Sequence, residues 1–178
     1  LLIIFITSLI SNLPGPKSLT RKPAPVSTQI LDRNGKLLYE VYSDQNRTPV
    51  DIADLPDYVK WATISIEDKN FYHHFGLDFT GIIRAAFNTL RGKRLEGGST
   101  ITQQLVKIAL LQDNSRTITR KIKEAILSIA TEIAYSKDEI IGLYLNNVPY
   151  GGTTYGIQTA AKTYFKKEKW EICEKEVL

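Results

Sequence analysis

Three clusters in this chain carry side chains suited to chemistry. The first is IEDKNFYHHFGLD, where Glu67 and Asp68 stand side by side at the expected end of a helix, among Phe71, Tyr72, Phe75 and Phe79. A carboxylate desolvated by aromatic rings rises in pKa towards the range of a general base. Spacing alone equally allows a solvated acid pair. The second is GGSTITQQLVK, from Gly97 to Lys107, which crowds Ser99, Thr100, Thr102, Gln103 and Gln104 together. Such uncharged donors and acceptors can orient a ligand dense in hydroxyl and phosphate oxygens, with the glycines allowing close backbone approach. Ser99 and Thr100 are also good helix N-caps. The third is RTITRKIKE, where Glu124 follows Arg120 by four residues and Lys121 by three. Pattern favours ordinary surface ion pairing. The sharper reading is a ledge of Arg116, Arg120 and Lys121 with an embedded carboxylate, facing a phosphate-bearing ligand.

Other chemistries are disfavoured. His73 and His74 are adjacent and lack a third ligand, so they read as structural and no metal site is expected. The single cysteine, Cys173, allows neither an internal disulfide nor a zinc cluster. GGSTITQQ lacks the Gly-Lys-Ser/Thr ending of a nucleotide phosphate loop, and no Asp-x-Asp pair is present. An anionic leaving group would therefore be neutralised by lysine and arginine, in keeping with a net charge of +4.

These clusters need elements to hold them. At 178 residues, with 43% hydrophobic and 24% charged residues, the chain suits one globular domain with an appendage. LLIIFITSLI is too short to span a bilayer, which takes about 20 residues. With no methionine and residue 1 already inside this run, residues 1–12 are expected to be the outer part of a membrane anchor. Residues 13–45 are expected to form a linker and a β-hairpin turning at Asn34-Gly35. Residues 46–178 read as a helical domain with an incomplete C-terminus. Its helices are expected after Asp54, with Leu55, Val59, Ala62 and Ile66 as one stripe, then after Asp78 and near Ser99. A fourth runs through RTITRKIKEAILSIATEIAY with Ile118, Ile122, Ala125, Ile126, Ile129 and Ile133 on its buried face, and Glu124 well off it. Ser136-x-x-Glu139 opens a fifth as a capping box, YGGTTYG is a loop, and IQTAAKTYF is a sixth.

The ordered motifs identify a resemblance. EDKNFYHHFG (Glu67 to Gly76), GGSTITQQ (Gly97 to Gln104), RKIKE (Arg120 to Glu124), EIIGLYLN (Glu139 to Asn146) and AAKTYF (Ala160 to Phe165) run in sequence. From about Thr28 onward the chain resembles the glycosyltransferase domain of class A penicillin-binding proteins and monofunctional peptidoglycan glycosyltransferases, glycosyltransferase family fifty-one. The resemblance implies a mainly α, lysozyme-like, two-lobed domain on the outer side of the bacterial cytoplasmic membrane, single-pass anchored. It implies polymerisation of lipid II onto a growing glycan strand, inverting the linkage from α to β and releasing undecaprenyl pyrophosphate. By resemblance Glu67 is the general base and Glu124 the second essential acid, while Lys107 and Arg116 neutralise the pyrophosphate. Asp68, Ser99, Thr100, Gln103, Gln104, Arg120, Lys121 and Asn146 would contact substrate. No cofactor is required, though a divalent cation such as magnesium is allowed. The partners implied are lipid II, the strand and the membrane, with no nucleic acid, and a fused transpeptidase domain can lie outside this sequence. Two departures stand out: Asn147 where many members have arginine, and ALLQDNSR, one residue longer than usual before Arg116. A lysozyme-like glycan hydrolase and an inactive membrane-anchored scaffold are the alternative readings.

Overall fold

The computed structural model describes residues 13–21, 26–35, 37–42, 44–81, 83–84, 91 and 98–166. The expected anchor over 1–12, Gly97 of the GGSTITQQ motif, and the segment from 167 with Cys173 lie outside the described residues. So does most of the helix expected after Asp78. Among the described residues no helix is long and apolar enough to cross a membrane.

The architecture is mainly helical, with two small sheets. A single turn, α1 (Ser18–Arg21), sets Leu19 against the core. Strands β1 (Thr28–Leu31) and β2 (Leu37–Val41) then pair antiparallel, Thr28 opposite Val41 and Ile30 opposite Tyr39. Their turn is where Asn34-Gly35 predicts it, with the Asn34 amide donating to Asp32 Oδ1 at 2.8 Å.

Helix α2 (Asp57–Glu67) follows Pro56 and buries Val59, Ala62 and Ile64, so Ile64 takes the place expected of exposed Ile66. Helix α3 (Ile101–Leu105) widens into a π-helical stretch over Val106–Leu111 that carries Lys107 and stops at left-handed Gln112. Helices α4 (Ile118–Ala134) and α5 (Lys137–Asn147) follow, the second opened by the predicted Ser136–Glu139 capping box. The core lies where α2, α3 and α5 meet, built on Ile64, Phe71, Ile101, Leu105, Ile140, Ile141 and Leu145.

YGGTTYG is not a loop. Gly151 and Gly152, both at positive φ, reverse the chain so that β4 (Pro149–Gly151) and β5 (Thr154–Tyr155) pair antiparallel. Strand β3 (Asn46–Arg47) adds to β5 in parallel, giving the order β3-β5-β4. Helix α6 (Ile157–Ala160) follows and also widens, over Ala161–Phe165.

The orientation of α4 reverses the expectation. Ile118 is 82% exposed and Ile133 74%, with Ile122 and Ile129 also exposed, while Glu124, Leu127, Ser128, Thr131 and Glu132 are buried. The buried face is polar because every polar group on it has a local or cross-helix partner. Ser128 and Thr131 hydroxyls donate back to the carbonyls of Glu124 and Leu127, each at 2.7 Å. Glu132 accepts from Thr102 Oγ1 at 2.5 Å and from Lys137 Nζ at 2.8 Å. A buried polar group so satisfied carries no desolvation penalty of the unpaired kind.

Candidate active site

Glu67 is the last residue of α2, and its neighbour decides where it points. Asp68 leaves helical geometry and turns inward. Its carboxylate is buried, accepting the Ile101 amide at 3.0 Å and contacting His74 Nε2 at 2.9 Å. Asp68 therefore ties the end of α2 to the start of α3, and it also borders the polar hollow beside Glu67. His74 is consumed by that tie, and exposed His73 does not join it.

Glu67 is left exposed at the helix end, not enclosed by rings. Phe71 goes into the core instead, while Tyr72, Phe75 and Phe79 are exposed. The expected desolvation by aromatic rings is thus not what this segment provides, because one ring packs into the core and the other three are exposed. What Glu67 gains is a fixed partner: Gln104 Nε2 donates to Oε2 at 2.8 Å. Oε1 has no donor among the described residues.

Two hollows meet at this carboxylate. One, of ≈ 460 Å³, is polar and is lined by Asp68, Lys69, Asn70, Asp78, Arg84, Ser99 and Thr100 among others. The other, of ≈ 430 Å³, is largely apolar, lined by Val59, Ala62, Tyr144, Val148, Tyr150, Ile157, Tyr164 and Phe165 among others. Ile66 and Glu67 belong to both. On the lining of the polar hollow, hydrogen bonds from Thr80, the Gly81 amide and Asn70 hold Asp78 down to about 2.

The segment GGSTITQQ divides between scaffold and site. Thr100 caps α3, accepting from the Gln103 amide at 3.1 Å and donating to Gly76 O at 2.7 Å. Gln103 Oε1 returns to the Thr100 amide at 3.0 Å, completing a capping box. Thr102 is spent on Glu132. These three are buried. Of the five, Ser99 and Gln104 are the ones left half-buried, and they are the ones whose side chains reach other parts of the site. Gly76 is required by this arrangement: its φ is +81°, and a Cβ there would come within 3.0 Å of the Ser128 backbone.

Glu124 is 2% exposed, not on a surface ledge. Its two oxygens each take one cation, Arg120 Nη1 on Oε2 and Lys121 Nζ on Oε1. Lys121 Nζ also donates to Ser99 Oγ at 2.9 Å, which carries the cluster to the polar hollow. Arg120 Nε is held by Ser115 O at 2.5 Å. Two cations around one carboxylate leave a net positive charge, pre-arranged for an anion.

The remaining expectations are less gathered. Lys107 lies half-buried on the π-helical stretch and Arg116 is exposed; neither lines the two hollows. Asn146 is turned to the backbone of Val50, donating to its carbonyl at 2.8 Å and accepting from its amide at 2.9 Å. Tyr144 and Tyr150 are site residues that spacing did not single out. Burial, and then the charge of Glu67, pushes both phenols above the ordinary value. The available signal for Tyr144 was a tyrosine on the Ile140–Ile141 side of α5, since a buried tyrosine needs a partner for its hydroxyl.

A family model described as Transglycosylase matches residues 34–178. Penicillin-binding protein 1A of Aquifex aeolicus is 42% identical over 172 residues, covering 96% of this chain and 23% of the relative. Penicillin-binding protein 1A of Rickettsia bellii is 46% identical over 165 residues, covering 90% and 21%. Penicillin-binding protein 1F of Bacillus subtilis is 45% identical over 143 residues, covering 80% and 20%. The chain therefore spans about a fifth of the length of the curated relatives it matches. On this match, the chain belongs to the transglycosylase family.

Proposed function

We propose that the chain is the transglycosylase part of a peptidoglycan glycosyltransferase that polymerises lipid II into β-1,4-linked glycan for the bacterial cell wall. The observation that carries this reading is Glu67 lining both a polar and an apolar hollow, with one oxygen held by Gln104 and the other without a donor among the described residues. In the reading, Oε1 takes the proton of the acceptor sugar's 4-hydroxyl. That oxygen forms a bond to the anomeric carbon of the growing strand as the bond to the pyrophosphate breaks, inverting α to β. The Arg120–Glu124–Lys121 cluster, reached through Ser99, supports the negative charge that develops on the departing undecaprenyl pyrophosphate. Lys107, on the π-helical stretch after α3, and Arg116, just before α4, add to it. The step uses the chain's own cations and routes nothing through a metal, while magnesium can assist the pyrophosphate.

The lipid tail favours a bilayer by about 0.8 kcal/mol per CH₂, so the enzyme works at the outer face of the cytoplasmic membrane, tethered by residues 1–12. A two-lobed, lysozyme-like groove and a fused transpeptidase domain complete the proposal. Incubation of the chain in detergent with lipid II, followed by gel analysis, tests it. Long glycan strands support it. Cleavage of finished glycan with no polymer made would replace it by the hydrolase reading, and neither activity would leave a scaffold.

A further inference from the structure

Three elements meet at one side-chain amide. Gln104, on α3, donates from Nε2 to Glu67 Oε2 at the end of α2, at 2.8 Å. Tyr144, on α5, donates from its hydroxyl to Gln104 Oε1 at 3.1 Å. The direction of this chain of bonds is forced. An ionised carboxylate only accepts, so the amide nitrogen must face Glu67; its carbonyl must then face Tyr144, whose hydroxyl must donate. Tyr144 is 3% exposed and its ring belongs to the core, so the donor is anchored where the fold is best packed.

We propose that Tyr144 is a positioning residue for the Glu67 base, acting through the Gln104 amide. It fixes which way the amide faces, the amide fixes Oε2, and Oε1 is thereby presented to the groove. This rests on the reading of Glu67 as the base, and it reassigns Gln104 from contacting substrate to orienting the carboxylate. Burial, followed by the charge of Glu67, keeps the phenol protonated as a donor. Low reorganisation at the reacting group is what such a fixed network supplies.

The test is steady-state polymerisation of lipid II by Tyr144→Phe, Gln104→Ala and the double variant of the whole chain, with thermal unfolding of each. Phenylalanine keeps the ring and removes only the donor. The expected result for Tyr144→Phe is a fall in kcat of about fivefold, the worth of one hydrogen bond, with KM held within about twofold. The double variant should be no slower than Gln104→Ala, because the phenol acts only through the amide. Losses that multiply, or a change confined to KM, would overturn the proposal. A second readout needs no activity: the Gln104 side-chain amide signal in ¹H–¹⁵N spectra should shift in both Tyr144→Phe and Glu67→Ala. If the wild-type chain makes no polymer, the functional reading falls, and this signal still judges the relay. An amide signal unmoved in Tyr144→Phe would overturn it on its own.

Discussion

Glu124 illustrates how neighbours decide what a residue does. Its spacing from Arg120 and Lys121 is that of a solvated helix-surface triad, yet it is buried with a cation on each oxygen. Replacing it with glutamine keeps the shape and removes the charge that collects the two cations. Glu124→Gln is expected to lose about 1–3 kcal/mol of stability, the penalty of a buried polar site left mismatched. Turnover should fall by up to about a hundredfold as the cations spread. Urea unfolding and lipid II polymerisation check the two effects, and unchanged stability would return the triad to the surface. At this scale the sequence pointed to Glu67 and Glu124, and the structure sets the first at the two hollows and the second between two cations. The sequence could not tell which hydroxyls and amides were internal. Thr100 and Thr102 donate to Gly76 O and Glu132, partners distant in sequence of which local spacing carries no trace, whereas Gln103 closes a local capping box with the Thr100 amide.

Helix α4 poses the corresponding problem one level up. Its isoleucines form the strongest periodic stripe in the chain, and the hydrophobic effect alone would bury them. Instead the face against α3 is the one whose polar groups are mutually satisfied, and Leu127 is its apolar anchor at 3% exposed. Leu127→Ala is therefore expected to cost about 2–5 kcal/mol, whereas Ile118→Ala should change stability by less than about 0.5 kcal/mol. Equal losses at the two positions, measured by denaturant unfolding of the chain, would reverse the helix. Elements with local signals were legible: the Asn34-Gly35 hairpin, the Ser136 box and the cap at Thr100. The parallel pairing of β3 with β5 was not, because it joins dipeptides at opposite ends of the domain.

Across the molecule, the polar and apolar hollows share Ile66 and Glu67, and the polar one holds a carboxylate whose charge should show in the pH dependence of stability. Asp78 is held to about 2 against an ordinary 3.8 by Thr80, Gly81 and Asn70. A folded pKa below the unfolded one means stability that is fully present above the unfolded value and lost as pH falls through the folded one. Asp78→Asn should thus be less stable than wild type at about pH 6, with the gap closing between about pH 4 and pH 2. Chemical unfolding across that range checks this, and a gap independent of pH would show that the Asp78 charge contributes nothing. The central claim is that Glu67 removes the acceptor proton, and one measurement addresses it most directly. It is the single-turnover rate of lipid II polymerisation by Glu67→Gln beside the wild-type chain, with lipid II binding measured on both. The account predicts binding retained and a rate lower by about 10²–10⁴; a rate within about twofold of wild type, when a lost base should cost at least a hundredfold, would contradict it.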